Sequence, residues 1–106
     1  MPSQTLDPEV FHAKAASAAR LLKSMANERR LMILCRLGGG ELSVTQLQEG
    51  SGLSQSALSQ HLATLREEGL VATRREGQVI HYRIADPAAL QVIETLASIF
   101  CPEMFE

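Results

Sequence analysis

A mainly α-helical fold carrying one β-hairpin is predicted by three observations. Apolar residues recur at three- and four-residue spacing in segments between positions 8 and 68, and again over 87–101. After Gly69 the apolar period drops from 3.6 to 2 and stays there to Ile84. Aromatic residues are 4% of the chain and Trp is absent, so Leu, Ala, Ile and Val must build the core, which suits helices better than a sandwich or barrel.

The 106 residues make one domain, 1–106, since a compact domain takes about 100–200 residues. Hydrophobic residues at 45% and charged ones at 21% exclude disorder as the main state. No apolar run approaches the roughly 18 residues of a membrane helix. Met1-Pro2-Ser3-Gln4 lacks the basic-then-apolar order of a signal peptide, so a cytoplasmic protein is expected. One core of this size is only marginally stabilising, which makes dimerisation an expectation before any motif is read.

The first helix is expected over 8–24. Asp7 is its N-cap, Pro8 its first residue, and Val10, Phe11, Ala15, Ala18, Ala19 and Leu22 its apolar set. Asn27 caps a second helix, 28–37, on which Leu31, Leu34 and Cys35 share an apolar side; Gly38-Gly39-Gly40 stops it. Ser43-Val44-Thr45-Gln46 has the form of a capping box opening a short helix, 44–50. After the turn Gly50-Ser51-Gly52, Ser54 caps a fourth helix, 55–68, with Leu58, Leu62 and Leu65 as its stripe. Strands follow at 70–75 and 78–84, with Ile80, Tyr82 and Ile84 inward and Glu76-Gly77 as the turn. Asp86-Pro87 opens a last helix, 87–101, whose apolar set is wider than one core-facing stripe. The excess fits a partner subunit.

The order α-α-α-α-β-β-α, a helix-turn-helix followed by a hairpin, is a winged helix-turn-helix. Such a unit places its second helix in the major groove of double-stranded DNA, N-terminal residues foremost. With Leu58 and Leu62 inward, Gln55, Ser56, Ser59 and Gln60 face outward. Gln can pair with adenine and Ser with either kind of base pair. An uncharged Ser/Gln run differs from the charged face of an idle helix. His61, at the border of the stripe, is a packed or phosphate-touching residue. Arg66, Arg74, Arg75 and Gln78 stand where they can touch phosphate or minor groove; a solvated hairpin tip is the alternative for the wing.

A net charge of −2 argues weakly against nucleic acid, but Asp86, Glu94, Glu103 and Glu106 place the negative excess in the tail. His12 and His81 have no companions at metal spacing and read as ordinary surface. Enzyme readings fare poorly: Gly38-Gly39-Gly40 lacks a following Lys-Ser/Thr, and three scattered histidines make no nucleophile–base set. A thiol oxidoreductase would want a CxxC pair that is absent. A winged helix used only for protein contact is a further alternative. Cys35 and Cys101 have two uses open to them, small buried hydrophobes or a reactive dithiol.

Leu42-Ser43-Val44-Thr45-Gln46-Leu47, the run Leu53 to Leu62, and Leu65-Arg66-Glu67-Glu68-Gly69-Leu70-Val71 with the Tyr82 strand resemble the ArsR/SmtB family of dimeric winged-helix repressors. The likeness spans roughly residues 18–101. It implies a homodimer through the first and last helices, an imperfect palindromic operator, half-sites about one helical turn apart, and release on binding an inducer. Metal-sensing members carry cysteines where this chain has Ser43 and Thr45, or Asp and His on a last helix that here lacks His; the expectation is therefore no metal site and no cofactor.

One Cys in the second helix and one at the end of the last, with Met25-Ala26-Asn27-Glu28-Arg29-Arg30-Leu31 ahead of the first, resembles the sulfide-, persulfide- and redox-responsive subgroup (the BigR, SqrR, YgaV and HlyU type). That resemblance implies that Cys35 and Cys101 join within a subunit, directly or through extra sulfur atoms, and that DNA affinity then falls. Arg36 adjoins Cys35 and is a candidate to favour its thiolate. The subgroup holds both repressors and an anti-silencing activator. The other reading keeps the DNA-binding fold with structural cysteines, responding to a metal or another ligand.

Overall fold

The computed structural model describes residues 7–105. Met1–Gln4 and Glu106, named above, lie outside the described residues. The elements run α1 (Pro8–Met25), α2 (Glu28–Leu37), β1 (Leu42–Ser43), α3 (Val44–Gln48), α4 (Gln55–Glu67), β2 (Val71–Glu76), β3 (Val79–Ile84) and α5 (Pro87–Phe100), then a 3-10 turn at Pro102–Phe105. This is the winged helix-turn-helix order, with a third strand added.

The caps fall where the sequence puts them. Asp7 accepts from Glu9 N at 2.9 Å, Asn27 from Arg29 N and Arg30 N, Ser54 from Ala57 N, and Asp86 from Ala88 N. Ser43 and Gln46 form the full capping box, at 3.1 Å and 2.8 Å. Helix α4 closes with Gly69 at φ +79, where the Gly69 N–H donates to Arg66 O and the Leu70 N–H to Leu65 O. This Schellman arrangement turns the chain sharply and buries Leu70, so the wing starts packed on the recognition helix.

One strand was not expected, and several element bounds shift by one or two residues. Strand β1 pairs antiparallel with β3, Leu42 opposite Tyr82 and Ser43 opposite His81, giving the sheet order β1-β3-β2. Two residues are too few to display a period. Helix α3 ends at Gln48 because Glu49 is already extended. The hairpin turn is Gly77-Gln78 rather than Glu76-Gly77: Glu76 pairs with Val79, and Gly77 carries φ +63 as first turn residue. Helix α5 stops at Phe100, and Cys101 leaves helical geometry to start the 3-10 turn.

The core is mostly leucine. Leu34, Leu47, Leu58, Leu62, Leu65 and Leu70 are fully buried where α2, α3, α4 and the sheet meet, and Ala89 and Ile93 seat α5 against them. Helix α1 stands apart, burying only Ser24 and Met25 at its C-terminal end. Two polar links hold that end. Arg30 donates to Ser24 O at 2.7 Å, and Arg20 pairs with Glu68 at the end of α4 at 2.7 Å. The Arg20 hydrogen bond holds the Glu68 carboxyl below the usual carboxylate range.

Candidate nucleic-acid interface and thiol cavity

Helix α4 turns one edge to the core and one to solvent. Leu58, Leu62 and Leu65 are buried while Gln55, Ser56, Ser59 and Gln60 are exposed; His61 is half-buried and Arg66 exposed. Helix α3 and the turn into α4 are pinned from outside the motif. The Arg36 guanidinium donates to Gln46 O at 2.8 Å, Leu47 O at 3.0 Å and Glu49 O at 3.2 Å. It thereby satisfies carbonyls at the end of a five-residue helix that has few partners of its own. Gln48 closes the turn by donating from its side chain to Leu53 O. This corrects the expectation for Arg36, whose guanidinium is spent on α3 rather than on the Cys35 thiol.

The wing separates its two arginines. Arg74 lies opposite His81 in the ladder and Arg75 opposite Ile80, so they face opposite sides of the hairpin. Arg74 is held by Glu41, at 2.8 Å and 2.9 Å, and stands 3.7 Å from Glu76. The same hydrogen bond holds the Glu41 carboxyl below the usual range. This pairing is therefore present at neutral pH and is lost only as pH falls through that depressed value. His81 is no ordinary surface residue. Its side chain is 19% exposed, with Nε2 3.5 Å from Glu76. His12 is exposed.

Arg75 and Gln78 are exposed, and Arg75 shares its face with Ile80 and Tyr82. A groove of about 510 Å³ runs between that face and α4, lined in part by Ser59, Arg66, Ile80 and Tyr82. Of the residues named from the sequence, Ser59 and Arg66 line this groove, Arg75 shares the sheet face that borders it, and Gln55, Ser56 and Gln60 are exposed on α4. Arg74 belongs to the ion pair on the other face. Glu41 was missed by sequence reasoning; it lies 33 positions from Arg74 and carries no local signal.

The two cysteines open onto the same cavity. Cys35 on α2 and Cys101 at the end of α5 line one cavity of about 250 Å³, and both are unbridged thiols. Cys35 is exposed rather than buried, because its side of α2 faces this cavity and not the leucine core. Met32, Phe100 and Met104 line the same cavity. Met104 reaches it because the 3-10 turn folds the chain back, with the Met104 N–H donating to Cys101 O at 3.0 Å.

Residues 27–73 match the bacterial regulatory protein, arsR family. The transcriptional activator HlyU of Vibrio cholerae is 53% identical over 87 residues, 82% of this chain and 81% of that protein. The chain belongs to the ArsR family. Reduced HlyU from Vibrio cholerae aligns with a TM-score of 0.82 at 49% identity, covering 88% of this chain and 98% of that one. The transcriptional repressor BigR from Xylella fastidiosa gives 0.85 at 41% identity, covering 90% and 97%. HlyU and BigR are among the proteins that define the subgroup resembled above. This ArsR-family member is a DNA-binding transcriptional regulator, and its relatives are regulators rather than enzymes. No helix among the described residues is long and apolar enough to cross a membrane.

Two variants separate the wing arginines. Arg75→Ala should weaken operator and unrelated DNA alike and lower the salt slope by about one. Glu41→Gln should act in the opposite sense, because it frees the Arg74 guanidinium and removes a carboxylate: affinity rises and the slope steepens by about one. Binding titrations across a salt series read both. An unchanged slope in either variant would remove that arginine from the interface.

Proposed function

We propose that the chain is a homodimeric regulator whose grip on an imperfect palindromic operator is released when Cys35 and Cys101 are joined by reactive sulfur species or oxidants. The observation that carries this is that the two cysteines, 66 positions apart in sequence, line one apolar cavity between α2 and α5. The likeness of this chain to reduced HlyU supports the same reading.

Dimerisation is assigned to α1 and α5. Val10, Phe11 and Leu22 on α1, and Ile99 and Phe100 on α5, are exposed large apolar residues, with Phe100 at 75%. An 18-residue helix that buries so little in its own chain needs another surface. Bases are read by Gln55, Ser56, Ser59 and Gln60, flanked by His61, Arg66, Arg75 and Gln78, with Arg74 in a supporting ion pair.

Cys35, the more exposed thiol, attacks first. Its thiolate takes the outer sulfur of a persulfide R–S–SH and releases R–SH. Cys101 then attacks the Cys35 persulfide and expels hydrogen sulfide, leaving a disulfide. The cysteines lose two electrons and the sulfane sulfur is reduced to sulfide. The bridge ties α2, which braces α3 through Arg36, to α5 in the dimer contact. It thereby resets the spacing of the two recognition helices.

Fluorescence anisotropy on the DNA upstream of the chain's own gene tests this. Reduced protein should bind tightly, persulfide treatment should release it, and reductant should restore binding. Cys35→Ser should bind and resist release. Binding indifferent to treatment in the parent chain, or release of the Ser variant by persulfide, would demote both cysteines to structural residues.

A further inference from the structure

The chain contains two cysteines and four methionines. Four of these six sulfur side chains, Met32, Cys35, Cys101 and Met104, line the single cavity between α2 and α5. Of the other two, Met25 is buried in the core and Met1 lies outside the described residues. Met32 and Met104 are 58% and 64% exposed in the single chain, so neither fills a gap in that chain's own core, a methionine's usual task. The remaining lining is Leu, Ile, Ala and Phe, without a side-chain oxygen or nitrogen.

We propose that this cavity is a copper(I) site, with the ion held by the thiolates of Cys35 and Cys101 and by the thioethers of Met32 and Met104. Thiolate and thioether are the soft donors that select Cu(I) over harder ions. Zinc asks for four nitrogen, sulfur or oxygen ligands, and among the described residues no group of three or more His, Cys, Asp or Glu side chains is placed to hold a metal. Cu(I) accepts two to four soft donors, and thioethers count among them.

Binding converts two thiols and one Cu(I) into a bis-thiolate complex and two released protons, so it weakens as pH falls. That complex carries one net negative charge, half that of two bare thiolates, which suits a wall with no cation. The thioethers add donors without adding charge. Copper and a sulfur bridge use the same two thiols and exclude one another. The site does not rest on the sulfur-sensing reading, because it requires only the four sulfurs and their surroundings.

Anaerobic titration of the reduced full-length chain with Cu(I), against a chromogenic Cu(I) chelator, is the test. One Cu(I) per chain should be retained, with a thiolate-to-copper band in the ultraviolet, and loaded protein should resist bridging by persulfide. Cys35→Ser should lose the ion. Met32→Leu with Met104→Leu should weaken it about tenfold or more, the scale on which losing even an outer partner weakens a metal site, and should leave bridging by persulfide intact. Complete transfer of copper to the chelator would overturn the site. Unchanged affinity in the double Leu variant would overturn the thioether ligation. Copper retained by a parent chain that ignores persulfide would sink the sulfur switch and leave the copper site standing; the reverse result would do the opposite.

Discussion

Phe11→Asp combined with Leu22→Glu should yield a folded monomer that no longer holds a two-half-site operator. Both residues are 56% exposed in the single chain, and the parts of α1 that carry them touch little of its core. The carboxylates therefore cost the isolated fold almost nothing; surface changes of this kind usually stay within about 0.5 kcal/mol. In a dimer built on α1 and α5 they are buried without partners, where each unpaired charge costs several kcal/mol. Losing one half-site removes half of the base and phosphate contacts, so binding should fall to the level of non-specific DNA. Sedimentation velocity gives the mass and anisotropy the affinity. A variant that stays dimeric with unchanged affinity would move the interface elsewhere.

The largest loss of stability is expected from Leu58→Ala. Leu58 is 0% exposed and sits in the stripe that fastens the recognition helix to the core. Truncating a buried Leu to Ala costs about 2–5 kcal/mol, the lost transfer energy plus the cavity left behind. A domain has only about 5–15 kcal/mol in total, so one substitution takes a large share. Urea unfolding should show a lower midpoint at unchanged slope. Leu62→Ala and Leu65→Ala should behave alike, while Val10→Ala, in exposed α1, should leave the midpoint nearly unmoved. Equal effects at positions 10 and 58 would contradict a core centred on α4.

Much of the fold could be read from local pattern. Caps at Asp7, Asn27, Ser43, Ser54 and Asp86 lie within three residues of the groups they satisfy, and the leucine stripe of α4 repeats at helical spacing. The candidate interface was partly readable for the same reason. Once Leu58 and Leu62 are assigned inward, Gln55, Ser56, Ser59 and Gln60 have only the outer side left. The wing was less so. Arg74 and Arg75 are equivalent in a string of letters, and only the ladder register together with Glu41 tells them apart. Strand β1 escaped because its partner lies about 40 residues away and two residues show no period.

The order of the helices and the hairpin, the helix faces and the family membership are thus properties of the chain as a string, because hydrogen-bonded caps and apolar periods act over a few residues. Where the non-local partners fall was decided by the packed structure alone. Arg36 serves α3 instead of its neighbour Cys35, Arg20 reaches Glu68 across 48 positions, and Met104 returns to a cavity that Met32 also lines. Cys35 faces solvent because α5 and the 3-10 turn leave a hollow beside it, and no period in the sequence encodes a gap between two helices. Such pairings depend on how preformed helices pack, and packing is settled by shape and volume summed over the whole chain.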